Sequence, residues 1–208
     1  MWTWDFIFDR TDNGGTIKMM TLLDEYTRQC LAIQVERQIT ADQVLGVLKK
    51  AMIQYGAPDY IRSDNGREFI ATKVQQGLKD HPIKTIYIDP GSPWQNGYIE
   101  SFHSRFRDEC LSREMLLNLR EARVVIEDWR QHYNTERPHS RLGYLSPEEF
   151  IKTKILVSHT LTGPKQVSLS DATRTAARIS LVLNKNSSIP PQTTGNIYGR
   201  LYSSTPYE

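Results

Sequence analysis

Along the first residues of this chain large apolar side chains alternate with others. Trp2, Trp4, Phe6 and Phe8 fall on one face of an extended segment, and Thr3, Asp5, Ile7 and Asp9 on the other. That period of two predicts a strand with an aromatic face and a face bearing two carboxylates. Asp12, Asn13, Gly14 and Gly15 follow as a turn of hairpin type, because positive φ is easiest for Asn and Gly. Ile17 to Leu23 returns as a second strand, and Cys30 to Val35 forms a third. At Thr40 the period lengthens. Thr40 with Gln43 three residues on makes a capping box, Val44, Leu45, Val47, Leu48 and Met52 form an apolar stripe, and Gly56, Ala57 and Pro58 stop the helix.

A short strand, Tyr60 to Arg62, leads into Ser63-Asp64-Asn65-Gly66. Residues 71–80 read as a second helix, Ile83 to Ile88 as a fifth strand, and Pro90 to Gly97 as a loop punctuated by Pro and Gly. Two helices follow, at about 98–111 and 119–134. The order βββαβαβαα, three strands in hairpin sequence and then crossover units, predicts an α/β fold with a mixed five-stranded sheet flanked by helices. Near residue 155 the pattern stops. Residues 155–208 contain no Trp or Phe and have 15 Ser and Thr among 54 positions, with helical spacing only at Ala172, Ala176, Ile179 and Leu183. Residues 153–208 are therefore expected to form a poorly structured C-terminal tail on a core of residues 1–152.

Composition changes this picture in two places. The formal net charge of +2 is a sum over unlike parts: residues 1–150 carry 19 Lys and Arg against 22 Asp and Glu, whereas residues 151–208 carry 7 against 2. Mild basicity alone thus gives no reason to expect nucleic acid, since the compact part is slightly acidic. No run approaches the ~18 apolar residues that a membrane span needs, and no basic leader precedes an apolar stretch, so a soluble chain without membrane or export is expected. Two cysteines, Cys30 and Cys110, are too few for a disulfide framework or a Cys-rich zinc site and fit a reducing cytoplasm.

Three carboxylates stand where chemistry would be expected. Asp5 is in mid-strand, Asp64 lies just past the fourth strand, and Glu100 is near the start of a helix behind a flexible loop. Acids from separate elements can converge on hard divalent cations, which prefer oxygen ligands, and a pair of such ions serves phosphoryl transfer. Each acid also has a bland reading. Asp64 could cap the Asn65-Gly66 turn, and Glu100 could be a charge favoured by the helix dipole. Asp5 is harder to explain away, because Asp is disfavoured in mid-strand and costly if buried without a partner. Asp9 shares its face but lies roughly 13 Å along an extended strand, too far to take the same ligand position. Trp94, Gln95 and Asn96 in the loop could meet a bound substrate, although Trp94 could equally anchor the loop to the core. His103, three residues after Glu100, reads as a surface imidazole, and His132 and His139 as packing residues.

The surrounding motifs are more specific. Trp4-Asp5, Ser63-Asp64-Asn65-Gly66-Arg67-Glu68-Phe69 and Asn96-Gly97-Tyr98-Ile99-Glu100-Ser101-Phe102 resemble the catalytic core of DDE transposases and retroviral-type integrases. The nearest likeness is to the second reading frame of the insertion-sequence 3 family. Thirty-five residues separate Asp64 from Glu100, Arg107 follows seven residues later, and matches continue through Tyr133-Asn134, Arg137-Pro138-His139-Ser140, Leu142-Gly143-Tyr144 and Ser146-Pro147-Glu148-Glu149-Phe150. Over roughly residues 2–152 the resemblance implies a ribonuclease-H-like fold. It implies that Asp5, Asp64 and Glu100 bind two Mg²⁺ ions, with Mn²⁺ as a substitute, for DNA strand cleavage and strand transfer, and that Arg107 meets a DNA phosphate; with DNA as the substrate, Trp94, Gln95, Asn96 and His103 become candidate DNA contacts. The implied partners are transposon ends and target DNA, a further copy of the chain, and a separate helix-turn-helix protein from a first reading frame. The implied place of action is the nucleoid. Such transposases resemble multidomain proteins, so an N-terminally truncated core is expected; the competing expectation is a remnant that binds DNA without moving it.

Overall fold

The computed structural model describes residues 1–63, 72–79, 81–88 and 96–161. Two long strands open it, β1 (Trp2–Arg10) and β2 (Thr16–Asp24), followed by β3 (Cys30–Glu36). The β1–β2 ladder is antiparallel from Trp2↔Asp24 to Arg10↔Thr16, symmetric about the Asp12–Gly15 turn. Gly14 takes φ 79° in that turn, where its lack of Cβ removes the steric cost. Helix α1 (Ala41–Tyr55) starts at the capping box: Thr40 Oγ1 accepts the Gln43 N–H, and Gln43 Oε1 accepts the Thr40 N–H. Strand β4 (Tyr60–Ser63), helix α2 (Thr72–Lys79) and strand β5 (Lys84–Tyr87) complete a five-stranded sheet of order β3-β2-β1-β4-β5. β1–β4 and β4–β5 are parallel pairs, so the sheet is mixed as the element order predicts.

The alternation along β1 divides the core. Trp2, Trp4 and Phe6 pack with α1 and α2 on one face of the sheet. Ile7 faces the other, against helix α3 (Gly97–Phe106) and helix α4 (Leu119–Thr135). Gly77 of α2 lies so close to Leu45 of α1 that a Cβ there would sit 2.5 Å from its side chain, which accounts for a glycine inside a helix. On the second face Phe102 meets Tyr133 and Trp129 edge-on, with ring centroids 5.1 and 5.6 Å apart, and stacks near Phe106. This aromatic cluster fixes α3 on the sheet.

Two local features differ from the sequence expectations. The helix expected over about 98–111 changes character at Arg107: residues Arg107–Leu111 form a π-turn, with the Ser112 N–H donating to the Arg107 carbonyl at 2.8 Å. The wider turn buries both Cys110 and Leu111. After a 3₁₀ turn at Ser140–Leu142, helix α5 (Pro147–Leu161) runs on past residue 152. Its start is a reciprocal cap, in which Glu149 Oε2 accepts the Ser146 N–H and Ser146 Oγ accepts the Glu149 N–H. The helical spacing from Ala172 to Leu183 and the rest of the expected tail beyond residue 161 lie outside the described residues.

Candidate active site

The site grows from the polar face of β1. Asp5 is partly buried, its side chain 21% exposed, and its Oδ1 accepts the N–H of Phe6 at 2.7 Å. The hairpin register puts Thr21 directly opposite. Thr21 Oγ1 donates to the Asp5 carbonyl oxygen at 3.1 Å and lies 2.8 Å from His103 Nε2. Across the same ring, His103 Nδ1 stands 4.0 Å from Asp5 Oδ2. That distance would suit an ion pair only with a protonated ring. Burial, aided by the Arg107 charge, instead holds the His103 pKa down to about 4, so the ring is neutral near pH 7 and the contact is polar packing.

His103 thus ties helix α3 to the middle of β1. It reads from sequence as a surface imidazole, but its side chain is only 15% exposed, because Thr21 and Asp5 form the polar strip over which α3 packs. Ile99, Phe102 and Phe106 anchor the helix, leaving Glu100 exposed on its first turn. Glu100 precedes His103 by three residues, about 4.5 Å along the axis, so it stands about one turn from the Asp5–His103 contact. Arg107, at the end of α3, is exposed and donates from Nη2 to the Phe8 carbonyl at 3.3 Å, which holds its guanidinium beside β1 beyond Asp5.

The remaining expected site residues are distributed less evenly. Asn96 is buried at 8% exposure and precedes α3 without a side-chain cap bond; its Oδ1 has no partner among the described residues. Asp64, Trp94 and Gln95 lie outside the described residues. Ser63, the residue before Asp64, ends β4 beside β1, and its buried Oγ likewise has no partner among the described residues. Among the described residues no group of three or more His, Cys, Asp and Glu is arranged to hold a metal ion, and of the three expected acids Asp5 and Glu100 are described.

Thr21 is the site residue that sequence reasoning missed. The signal was present: a hairpin symmetric about residue 13 pairs position 5 with position 21. His132 is exposed and pairs with Glu136 at 3.3 Å, whereas His139 is buried edge-on against Tyr133.

Two family models, each described as an integrase core domain, match the chain over residues 1–93 and 81–147. An uncharacterized 39.2 kDa protein of insertion element IS476 from Xanthomonas euvesicatoria is 43% identical over 149 residues, covering 72% of this chain and 43% of that protein. The transposase InsF for insertion sequence IS3A of Escherichia coli is 26% identical over 152 residues, 72% of this chain and 52% of that one. The chain spans about half the length of the curated relatives it matches. Among solved structures, the simian T-cell lymphotropic virus intasome in complex with PP2A regulatory subunit B56 gamma superposes with a TM-score of 0.58 at 13% identity, over 72% of this chain and 52% of that chain. The HTLV-2 integrase catalytic core domain in complex with magnesium (trimeric form) gives 0.51 at 14% identity, over 72% and 93%. At such identities the likeness is one of fold, the ribonuclease-H-like fold of retroviral integrase cores. No described helix is long and apolar enough to cross a membrane.

Proposed function

We propose that the chain is a DDE transposase core of the insertion-sequence 3 family, and that it cuts and joins DNA strands with Asp5, Asp64 and Glu100 as its metal-holding acids. One observation carries this reading: α3, which bears Glu100, is pinned over Asp5 through His103 and Thr21. The sheet register supports it as well. β1 and β4 run parallel with Thr3 paired to Arg62, and Asp5 and Asp64 each stand two positions further along the sequence.

The donor set fits a hard divalent cation. Carboxylate oxygens are the ligands Mg²⁺ takes, usually one or two from protein with waters and substrate phosphate oxygens completing the shell. Asp5 is partly open and Glu100 exposed, so both can reach such a shell. Two Mg²⁺ ions, or Mn²⁺ in their place, would supply Lewis-acid stabilisation of phosphate charge and activation of the attacking oxygen. The chain's own residues do the rest. Thr21 and the neutral His103 ring orient Asp5 without competing for its charge. Arg107 neutralises a phosphate near the reacting end, and Trp94 and Gln95 are assigned to DNA contact; Asn96, at 8% exposure, is too buried to join them. The substrates are transposon ends and target DNA at the nucleoid. The active form is an oligomer, with a separate helix-turn-helix protein supplying end recognition.

The test is strand cleavage of element-end duplex DNA by the purified chain with Mg²⁺, with Mn²⁺ and with chelator. Cleavage that needs the metal and vanishes in Asp64→Asn is expected. Undiminished cleavage by that variant sinks the assignment. DNA binding without cleavage by the unaltered chain would mark a non-enzymatic remnant instead.

A further inference from the structure

A second concave surface lies on the other side of α3. Glu100, His103 and Arg107 flank one side of its buried stripe, whereas Tyr98, Ser101 and Arg105 flank the other, since 100° per residue separates the two sets. The second set lines a groove of about 690 Å³ that is bounded by the β2–β3 turn and by the segment after α4. Arg28, Arg105, Arg137 and Arg141 all line it.

The groove's acids do not balance these guanidiniums. Asp24 is buried and accepts the N–H groups of Tyr26 and Thr27 at 2.8 and 3.2 Å, and Glu25 pairs with Arg62 at 2.8 Å. Arg137 is held by Glu109 at 2.5 Å. Arg28, Arg105 and Arg141 have no carboxylate within 4 Å among the described residues, although Arg28 and Arg105 act at longer range on Glu25 and Glu109. Arg28 lies over the Tyr98 ring, 4.0 Å from its centroid, and Arg105 donates to the Ser101 carbonyl at 3.0 Å.

Two further observations point to a ligand. His139 lines the groove at 9% exposure, and its Nε2 has no partner among the described residues. Burial, helped by the Arg137, Arg105 and Arg28 charges, keeps this ring neutral, so it adds a polar atom but no counter-charge. Arg28 and Tyr144, at φ 61° and 64°, are the two non-glycine residues with left-handed backbone among the described residues, and both line this groove. Such strain collects where a side chain must be presented.

We infer that this groove is a second track for the phosphodiester backbone of DNA, distinct from the acidic site and separated from it by α3. Guanidiniums without carboxylate partners meet phosphates, while Tyr98 and Tyr144, 41% and 75% exposed, offer rings to sugars or bases at the rim. An open groove of this size and charge suits several successive phosphates rather than one small anion. The identification of the strand as DNA rests on the proposed function above.

The experiment is fluorescence anisotropy of labelled duplex DNA over a salt series, read as the slope of log Kobs against log salt. Each lost phosphate contact lowers the slope magnitude by about 0.9. The double variant Arg105→Ala/Arg141→Ala, at two exposed positions, is expected to lose about 1.8 from the slope and to bind DNA more weakly. Arg105→Lys/Arg141→Lys, which keeps the charge, is expected to restore the slope and so exclude a folding defect. Glu100→Gln is expected to lose cleavage and keep the slope. If the unaltered chain binds and cleaves DNA but the double alanine variant keeps its slope, the groove assignment is overturned and the DNA reading survives. If the unaltered chain neither binds nor cleaves DNA, the DNA reading falls and takes this inference with it.

Discussion

Asn134 joins α4 to the edge strand of the sheet, and its removal has a cost that can be worked from its contacts. Its side chain is 4% exposed; Oδ1 accepts the Cys30 N–H at 2.8 Å and Nδ2 donates to the Cys30 carbonyl at 2.8 Å. In Asn134→Ala the carbonyl keeps the Arg130 guanidinium, 3.0 Å away, but the buried N–H is left without a partner. Two lost hydrogen bonds are worth about 1 kcal/mol each, and the stranded donor about 1–3 kcal/mol, less the share already counted in its bond. The expected loss is therefore about 2–4 kcal/mol, a large part of a typical domain's ~5–15 kcal/mol. Urea unfolding followed by circular dichroism measures it: with a slope of about 2 kcal/mol per molar, the midpoint falls by about 1–2 M at unchanged slope. Asn134→Asp keeps the acceptor but sets a buried carboxylate against a carbonyl. Its deficit is expected to equal or exceed that of the alanine variant at pH 7 and to shrink as acid protonates the new group. A loss below about 0.5 kcal/mol in Asn134→Ala would refute this account of how α4 is fixed.

Other expectations follow from the charges and thiols. The hydrogen bonds from Arg137 Nε and Nη2 hold the Glu109 carboxyl below its ordinary range near 4.5, so this pair stabilises the fold above that range and the contribution is lost as pH falls through the lowered value. The stability gap between the unaltered chain and Arg137→Ala should therefore narrow between pH 7 and pH 3 in urea titrations; a constant gap would contradict the pairing. His139 is held down to about 4 by burial and by Arg137, Arg105 and Arg28, so its imidazole C–H resonances should titrate near pH 4, and a midpoint above 6 would contradict the burial. Because the unfolded ring takes up its proton near 6.5, this group removes stability as pH falls from about 6.5 to 4. Burial pushes the Cys30 and Cys110 thiols up to about 12, so neither should react with a thiol reagent at pH 8 until the chain unfolds; rapid labelling of the native chain would show the core to be open.

What the sequence disclosed depended on whether the signal was local. The Trp2-to-Phe8 alternation, the Asp12–Gly15 turn and the Thr40–Gln43 cap each sit within a few residues, and β1, β2, β3 and α1 begin and end within a residue or two of where those signals put them. The π-turn was hidden, because Phe102, Phe106 and Cys110 keep a spacing of four whether the helix widens after Phe106 or not. Helix α5 was legible in principle through Ser146 and Glu149, a capping pair that the change of composition near residue 155 obscured. Within the candidate site, the family motifs offered Asp5, Glu100 and Arg107 as candidates. They could not give the Thr21–His103 link, which depends on a strand register and a helix rotation together. The arginine groove escaped for a related reason: Arg28, Arg105, Arg137 and Arg141 are scattered over more than a hundred positions in a core whose net charge is slightly negative.

Asp5 of β1, Asp64 and Glu100 of α3 are proposed to form one metal-holding centre. Anomalous X-ray scattering from crystals of the chain soaked in Mn²⁺ addresses it most directly. Manganese peaks are expected about 2.1 Å from carboxylate oxygens of Asp5 and Asp64, with Glu100 in the same cluster, and they should disappear in Asp5→Asn. Manganese bound only elsewhere, or retained unchanged in that variant, would contradict the claim.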